Sequence, residues 1–126
     1  MTRAIRLISS MATKALLADL AALYTRQTGT PVEVESVGGV DAARRVQAGE
    51  AFDAVMLASQ AIDTLLVAGR LLPGSRVDIV DSGVAVAVRA GAPRPDIGSE
   101  QALKAAVLAA PKLACSTGPS GAALAR

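Results

Sequence analysis

The stretch Ala4-Ile5-Arg6-Leu7-Ile8-Ser9-Ser10-Met11 decides how the rest of the chain is read. Its apolar run from Ala4 to Ile8 ends at two serines, the pattern of a short buried strand. Ala12, Leu16, Leu17, Leu20, Leu23 and Tyr24 follow at spacings of three and four, which predicts a helix with one apolar stripe. Ser9 or Ser10 supplies its N-cap. Gly29 ends it, and Pro31 blocks any continuation.

Downstream the phrase repeats twice. Val32 to Ser36 alternates as a strand does, Gly38-Gly39 turns the chain, and a helix starts near Val40 or Asp41 and stops at Gly49. Val40, Ala43 and Val46 form its expected inner face, with Arg44, Arg45 and Gln47 outside. Asp53 to Leu57 is a third strand. Ser59 caps a third helix carrying Ile62, Leu65 and Leu66, closed by Gly69, and Pro73-Gly74 is a turn. Strand and helix in this alternation imply an α/β fold with a parallel sheet and right-handed crossovers.

The rhythm then changes. Arg76 to Val80 and Val84 to Val88 are both strand-like and are separated only by Asp81-Ser82-Gly83. They form a hairpin, or they mark where the chain leaves one sheet for another. Ser99 caps a fourth helix with Leu103, Val107 and Leu108, which Pro111 ends. Leu113 to Ser116 reads as one more strand, with Cys115 a buried inert thiol inside it. Gly118-Pro119-Ser120-Gly121 leads into a helix that reaches Arg126 without a terminator. That ending reads as the front part of a longer protein.

Composition excludes several functions. The 126 residues suit one domain, or two small ones, and 52% hydrophobic residues exclude a disordered chain. A net charge of +2 without a Lys/Arg cluster, and only Tyr24 and Phe52 as aromatics, exclude a nucleic-acid surface. No apolar run reaches the ~20 residues of a membrane span, and no secretory signal heads the chain. There is no histidine, and Asp53, Asp63, Asp78 and Asp81 lack metal-loop spacing, so neither metal nor cofactor is expected. Cys115 is the single cysteine, which precludes an intrachain disulfide. With 27 alanines and two aromatics, the core must be Leu, Val, Ile and Ala.

One arrangement recurs at three strand-to-helix junctions: Ser9-Ser10-Met11, Ser36-Val37-Gly38-Gly39, and Ser116-Thr117-Gly118-Pro119-Ser120-Gly121. In open parallel sheets ligands bind beyond the carboxyl ends of the strands. Helix N-termini there offer free N–H groups to anions, and serine hydroxyls add donors. A serine before a helix is by itself an ordinary N-cap, so the argument rests on the three junctions together. Gly38-Gly39 is neither a dinucleotide fingerprint nor a P-loop, and no serine has a base partner. No catalytic residue is therefore assigned, and the expectation is a protein without enzymatic activity.

At these loops the chain resembles the molybdate-type periplasmic binding proteins of ABC importers. The resemblance is carried by Ser9-Ser10-Met11, by Ala21 to Gly29, by Ala48-Gly49-Glu50-Ala51-Phe52-Asp53-Ala54-Val55, by Leu71 to Arg76, by Gly83 to Val88 and by Gly118-Pro119-Ser120-Gly121. It implies a three-layer α/β fold of the type II solute-binding kind. Residues 1–83 would be a nearly complete first lobe, and residues 84–126 a crossover strand and the start of a second. It implies a non-enzymatic receptor that feeds a small oxyanion, molybdate or tungstate, to the membrane subunits of an ABC importer. The implied ligand-binding residues are Ser9, Ser10, Met11, Ser36, Gly38, Gly39, Ser59, Ser120 and Gly121. The second loop departs from the family, which brings adjacent serines before its glycine where this chain has Ser36-Val37-Gly38-Gly39. That departure opens the alternatives of a binding or sensor module for a small organic acid, or a fragment that binds nothing. A homodimer covering an unfinished half-lobe is a further expectation. The family implies a periplasmic location, and the missing signal leaves a cytoplasmic one as the alternative.

Overall fold

The computed structural model describes residues 2–124. By its contacts the chain divides into two compact units, Met1–Ser82 and Gly83–Arg126.

The first unit is built on three strands, β1 (Ile5–Ser10), β2 (Val32–Val37) and β3 (Ala54–Met56), in the order β2-β1-β3. Both pairings are parallel, as the alternation of strands and helices predicts. Ile5 lies opposite Val32 and Ser10 opposite Val37, while Leu7 to Ser9 face Ala54 to Met56. The backbone N–H of Asp53 donates to the Arg6 carbonyl at 2.8 Å, which carries the β1–β3 pairing one residue further. β1 runs through Ser10, two residues beyond the apolar run. Ser9 and Ser10 therefore belong to the ladder and not to a loop after it.

A 3-10 turn at Met11–Thr13 leads into α1 (Lys14–Thr28). Gly29 closes α1 in the left-handed conformation (φ 73°), where a side chain would be strained, and its N–H donates to the Thr25 carbonyl at 2.8 Å. Of the stripe read from sequence only Leu17 is buried; Leu16, Leu20, Leu23 and Tyr24 stay exposed. The physical reason is width. α1 packs along β2, an edge strand of the three-stranded sheet, so only a narrow strip of sheet lies beneath the helix.

α2 (Gly39–Gln47) and α3 (Ser59–Val67) supply the core. Ile8 is fully buried among Ala42, Val46 and Leu65, with Val37, Phe52, Val55, Leu57 and Leu71 packed around them. α2 begins at Gly39, earlier than expected, and its inward face is set by Ala42 and Val46. Val40 is left 61% exposed, against the expectation that it faces inward. Arg76 ties the following segment back to α3 through Asp63 at 2.5 Å.

The second unit contains α4 (Glu100–Ala109) and α5 (Pro119–Leu124). Ser99 caps α4 as read, its hydroxyl accepting from the Ala102 N–H at 3.1 Å. Residues 125 and 126, which the last predicted helix included, lie outside the described residues. The expected strands at 76–80, 84–88 and 113–116 do not form. None of these runs meets a neighbour in a ladder among the described residues, and a strand exists only through such pairing. Val77, Ile79, Val84, Val86, Val88 and Leu113 are accordingly exposed, and so is Cys115, against the expectation of a buried thiol.

The core makes a direct prediction. Ile8→Ala should cost about 2–4 kcal/mol in urea unfolding, because Ile8 is the central side chain of the cluster. Val67→Ala, at a position 91% exposed, should stay within ~0.5 kcal/mol. Equal effects of the two would contradict this placement of the core.

Candidate functional site

The parallel register brings the carboxyl ends of β1, β2 and β3 to one edge of the sheet. Ser9 lies opposite both Ser36 and Met56 there. Ser9 is fully buried. Its Oγ lies 2.7 Å from Ser36 Oγ and donates to the Ser10 carbonyl at 3.0 Å. Ser36 is only half-buried, so it is the outer member of the pair.

Ser10 has the extended backbone of an N-cap ahead of the 3-10 turn, but its side chain makes no cap hydrogen bond. Met11 is exposed. Beside them Thr13 has a buried hydroxyl without a hydrogen-bond partner among the described residues, a group that sequence reading passed over. Gly38 is the N-cap of α2, its carbonyl accepting from the Ala42 N–H at 2.9 Å, and Gly39 is the first helical residue. The N–H groups that open α2 have no partner within the helix and point toward its N-terminal end. Asp41 sits in that first turn and pairs with Arg44 at 2.5 Å. Ser59 does not cap α3: Ala58 holds the N-cap position, and Ser59 is the exposed first residue of the helix. The helix starts one residue earlier than its polar residue suggests.

Ser9, Ser10, Met11, Ser36, Gly38, Gly39 and Ser59 thus all belong to the carboxyl-end junctions of one sheet. Ser120 and Gly121 lie in the second unit, within the short α5. Gly121 is buried, and its N–H donates to Ser116 Oγ at 3.2 Å. A Cβ at Gly121 would collide with the Ser116 carbonyl oxygen, which accounts for glycine there by space.

A second cluster lies away from this edge and has no counterpart in the sequence reading. Arg6 and Arg45 place their guanidinium groups over the Phe52 ring, 5.1 and 5.4 Å from its centroid. Arg45 donates to Glu50 at 2.6 and 2.7 Å and to Glu35 at 2.5 and 3.1 Å. These hydrogen bonds hold both glutamates below the usual carboxylate range and raise Arg45. Arg3 donates to Asp53 at 2.7 and 3.1 Å, and the Arg6 N–H adds a third bond at 2.9 Å. Both lower the Asp53 carboxyl. A shallow pocket of about 150 Å³ opens here, lined by Arg6, Leu7, Glu33, Val34, Glu35 and Phe52. It holds none of the predicted ligand residues; of its charged lining, Glu35 is held by Arg45 and Arg6 donates to the Ala51 carbonyl at 3.0 Å. It reads as a brace for the loop that enters β3. Among the described residues no three His, Cys, Asp or Glu side chains gather as a metal site.

Sequence comparison bears on this geometry. The profile described as bacterial extracellular solute-binding protein matches residues 5–126. The chain belongs to that family. An aconitate isomerase from Pseudomonas sp is 33% identical over 124 residues, which cover 94% of this chain and 47% of the relative. The chain spans about half the length of that curated relative. The expectation of a protein without enzymatic activity is overturned by this finding, because the relative carries an enzyme's name. Among the described residues no helix is long and apolar enough to cross a membrane.

The electrostatics give a pH prediction. Asp53, Glu35 and Glu50 are depressed in the folded protein, so their contribution is present above the ordinary carboxyl range. It is lost as pH falls through their lowered values. The urea midpoint should hold from neutrality to about pH 5 and decline below about pH 4. The decline should be modest, since these pairs are solvent-exposed. Asp53→Asn should flatten it. A midpoint that rises on acidification would contradict the assignment.

Proposed function

We propose that this chain binds a small organic acid at the carboxyl edge of its sheet, as the ligand-recognising part of an extracellular solute-binding protein. The observation that carries the reading is the meeting of Ser9, Ser10, Ser36, Gly38 and Gly39 at one sheet edge. Unpaired N–H groups at the start of α2 are suited to a carboxylate, and the helix dipole adds to the attraction. The name of the aconitate isomerase relative supports an organic acid over molybdate or tungstate. So does the second loop, where Val37 and Gly38 stand in place of further hydroxyls. The family supports a periplasmic or extracellular location; a type II arrangement and delivery of the ligand to transporter subunits are further parts of this proposal.

A second reading is isomerisation of such an acid, favoured by the relative's name. Moving a proton within the substrate needs a base. Asp41, the carboxylate in the first turn of α2, is the residue this edge offers.

Calorimetric titration with cis-aconitate, trans-aconitate, molybdate and sulfate tests the first reading. Saturable binding of an aconitate that molybdate and sulfate do not match is expected, weakened about tenfold in Ser10→Ala. Binding of molybdate alone would overturn it. For the second reading, proton NMR of cis-aconitate incubated with the protein should show the trans isomer, and Asp41→Asn should stop its appearance. Unchanged cis-aconitate would end that reading.

A further inference from the structure

The Ser9–Ser36 pair has a direction. A serine hydroxyl carries one proton. The Ser9 proton is committed to the Ser10 carbonyl, 3.0 Å away, because a carbonyl only accepts. The 2.7 Å contact between Ser9 Oγ and Ser36 Oγ admits either oxygen as donor, and with the Ser9 proton assigned to the Ser10 carbonyl we assign its donor as Ser36. The relay runs from Ser36 O–H to Ser9 O–H to the Ser10 C=O. Ser9 is fully buried, so water does not substitute for either partner, and reversing the relay would leave the Ser10 carbonyl without the Ser9 donor. Ser36, the half-buried outer member, is left with lone pairs and no proton to offer. This reverses the role read from the sequence, in which Ser36 donates to an anion.

We propose that Ser36 meets the ligand as a hydrogen-bond acceptor and thereby selects an organic acid that brings its own proton, on a hydroxyl or an un-ionised carboxyl. The inference rests on the reading of this sheet edge as the ligand site. Backbone N–H groups at the start of α2 donate to the ionised carboxylate, and Ser36 accepts from the ligand's donor. A fully ionised anion without a donor, aconitate included, leaves the Ser36 acceptor unpaired and binds more weakly than a hydroxylated acid of the same charge.

Citrate and tricarballylate make the test, because they share three carboxylates and differ by one hydroxyl. Both are titrated into the full chain at about pH 7.5, in wild type, Ser36→Ala and Ser9→Ala. Wild type should bind citrate roughly fivefold to tenfold more tightly, the worth of one hydrogen bond. Ser36→Ala should erase the preference. Ser9→Ala releases the Ser36 proton and should shrink or reverse it. Should Ser9→Ala not fold, the wild-type ratio and its loss in Ser36→Ala, at a partly exposed position, decide the question. Equal affinities in wild type, or a preference that survives Ser36→Ala, overturn the acceptor role and leave carboxylate binding standing. Absence of binding by both acids in wild type overturns this inference, and the carboxylate reading falls with it only if the aconitates also fail to bind.

Discussion

The parallel register of β1 against both neighbours is the constraint on which the rest of the first unit depends. Parallel strands cannot be joined by a tight turn, so each connection must travel the length of the sheet as a helix. Every strand then ends at the same edge, and every helix begins there. Serines, glycines and unpaired helix N–H groups that are dozens of residues apart in sequence are collected along one line by this rule. Ile8 makes the register stable, because a one-residue slip would move its fully buried side chain to the opposite face.

Two kinds of polar chemistry occupy different parts of the same sheet. Toward the start of β1, Arg3 pairs with Asp53 and Arg45 with Glu35 and Glu50, while Arg6 lies over the Phe52 ring and donates to the Ala51 carbonyl. At the carboxyl edge the polar groups are uncharged hydroxyls and backbone amides, with Asp41 and Arg44 paired beside them. A matched cluster holds a loop in place and leaves little charge for a solute. Neutral groups with open valences, gathered in register, are better suited to a ligand. That contrast is why the serine edge, and not the more deeply charged pocket, carries the functional reading.

Much of the first unit was legible. The apolar run of Ala4 to Ile8, the alternation of Val32 to Ser36 and the glycines at 29, 49 and 69 placed three strands and three helices in order, because period and helix termination are local properties. The junction serines and glycines were legible as a set for the same reason. The illegible parts depend on partners. Arg76 to Val80, Val84 to Val88 and Leu113 to Ser116 have strand composition, yet composition does not provide a neighbour to pair with. The α1 stripe has helical spacing, yet spacing does not say how much sheet lies beneath it. Ser59 has capping chemistry, yet the helix begins on Ala58.

By itself the sequence determined the α/β class, the order of elements in the first unit, and which residue types stand at its strand-to-helix junctions. These follow from side-chain periodicity and backbone preference, which each short segment carries on its own. Only the tertiary structure decided that Ser9 is buried against Ser36 and that its hydroxyl reaches the Ser10 carbonyl. The direction of a hydrogen-bond chain depends on which groups meet across strands. Residues 27 positions apart meet only once the register has formed.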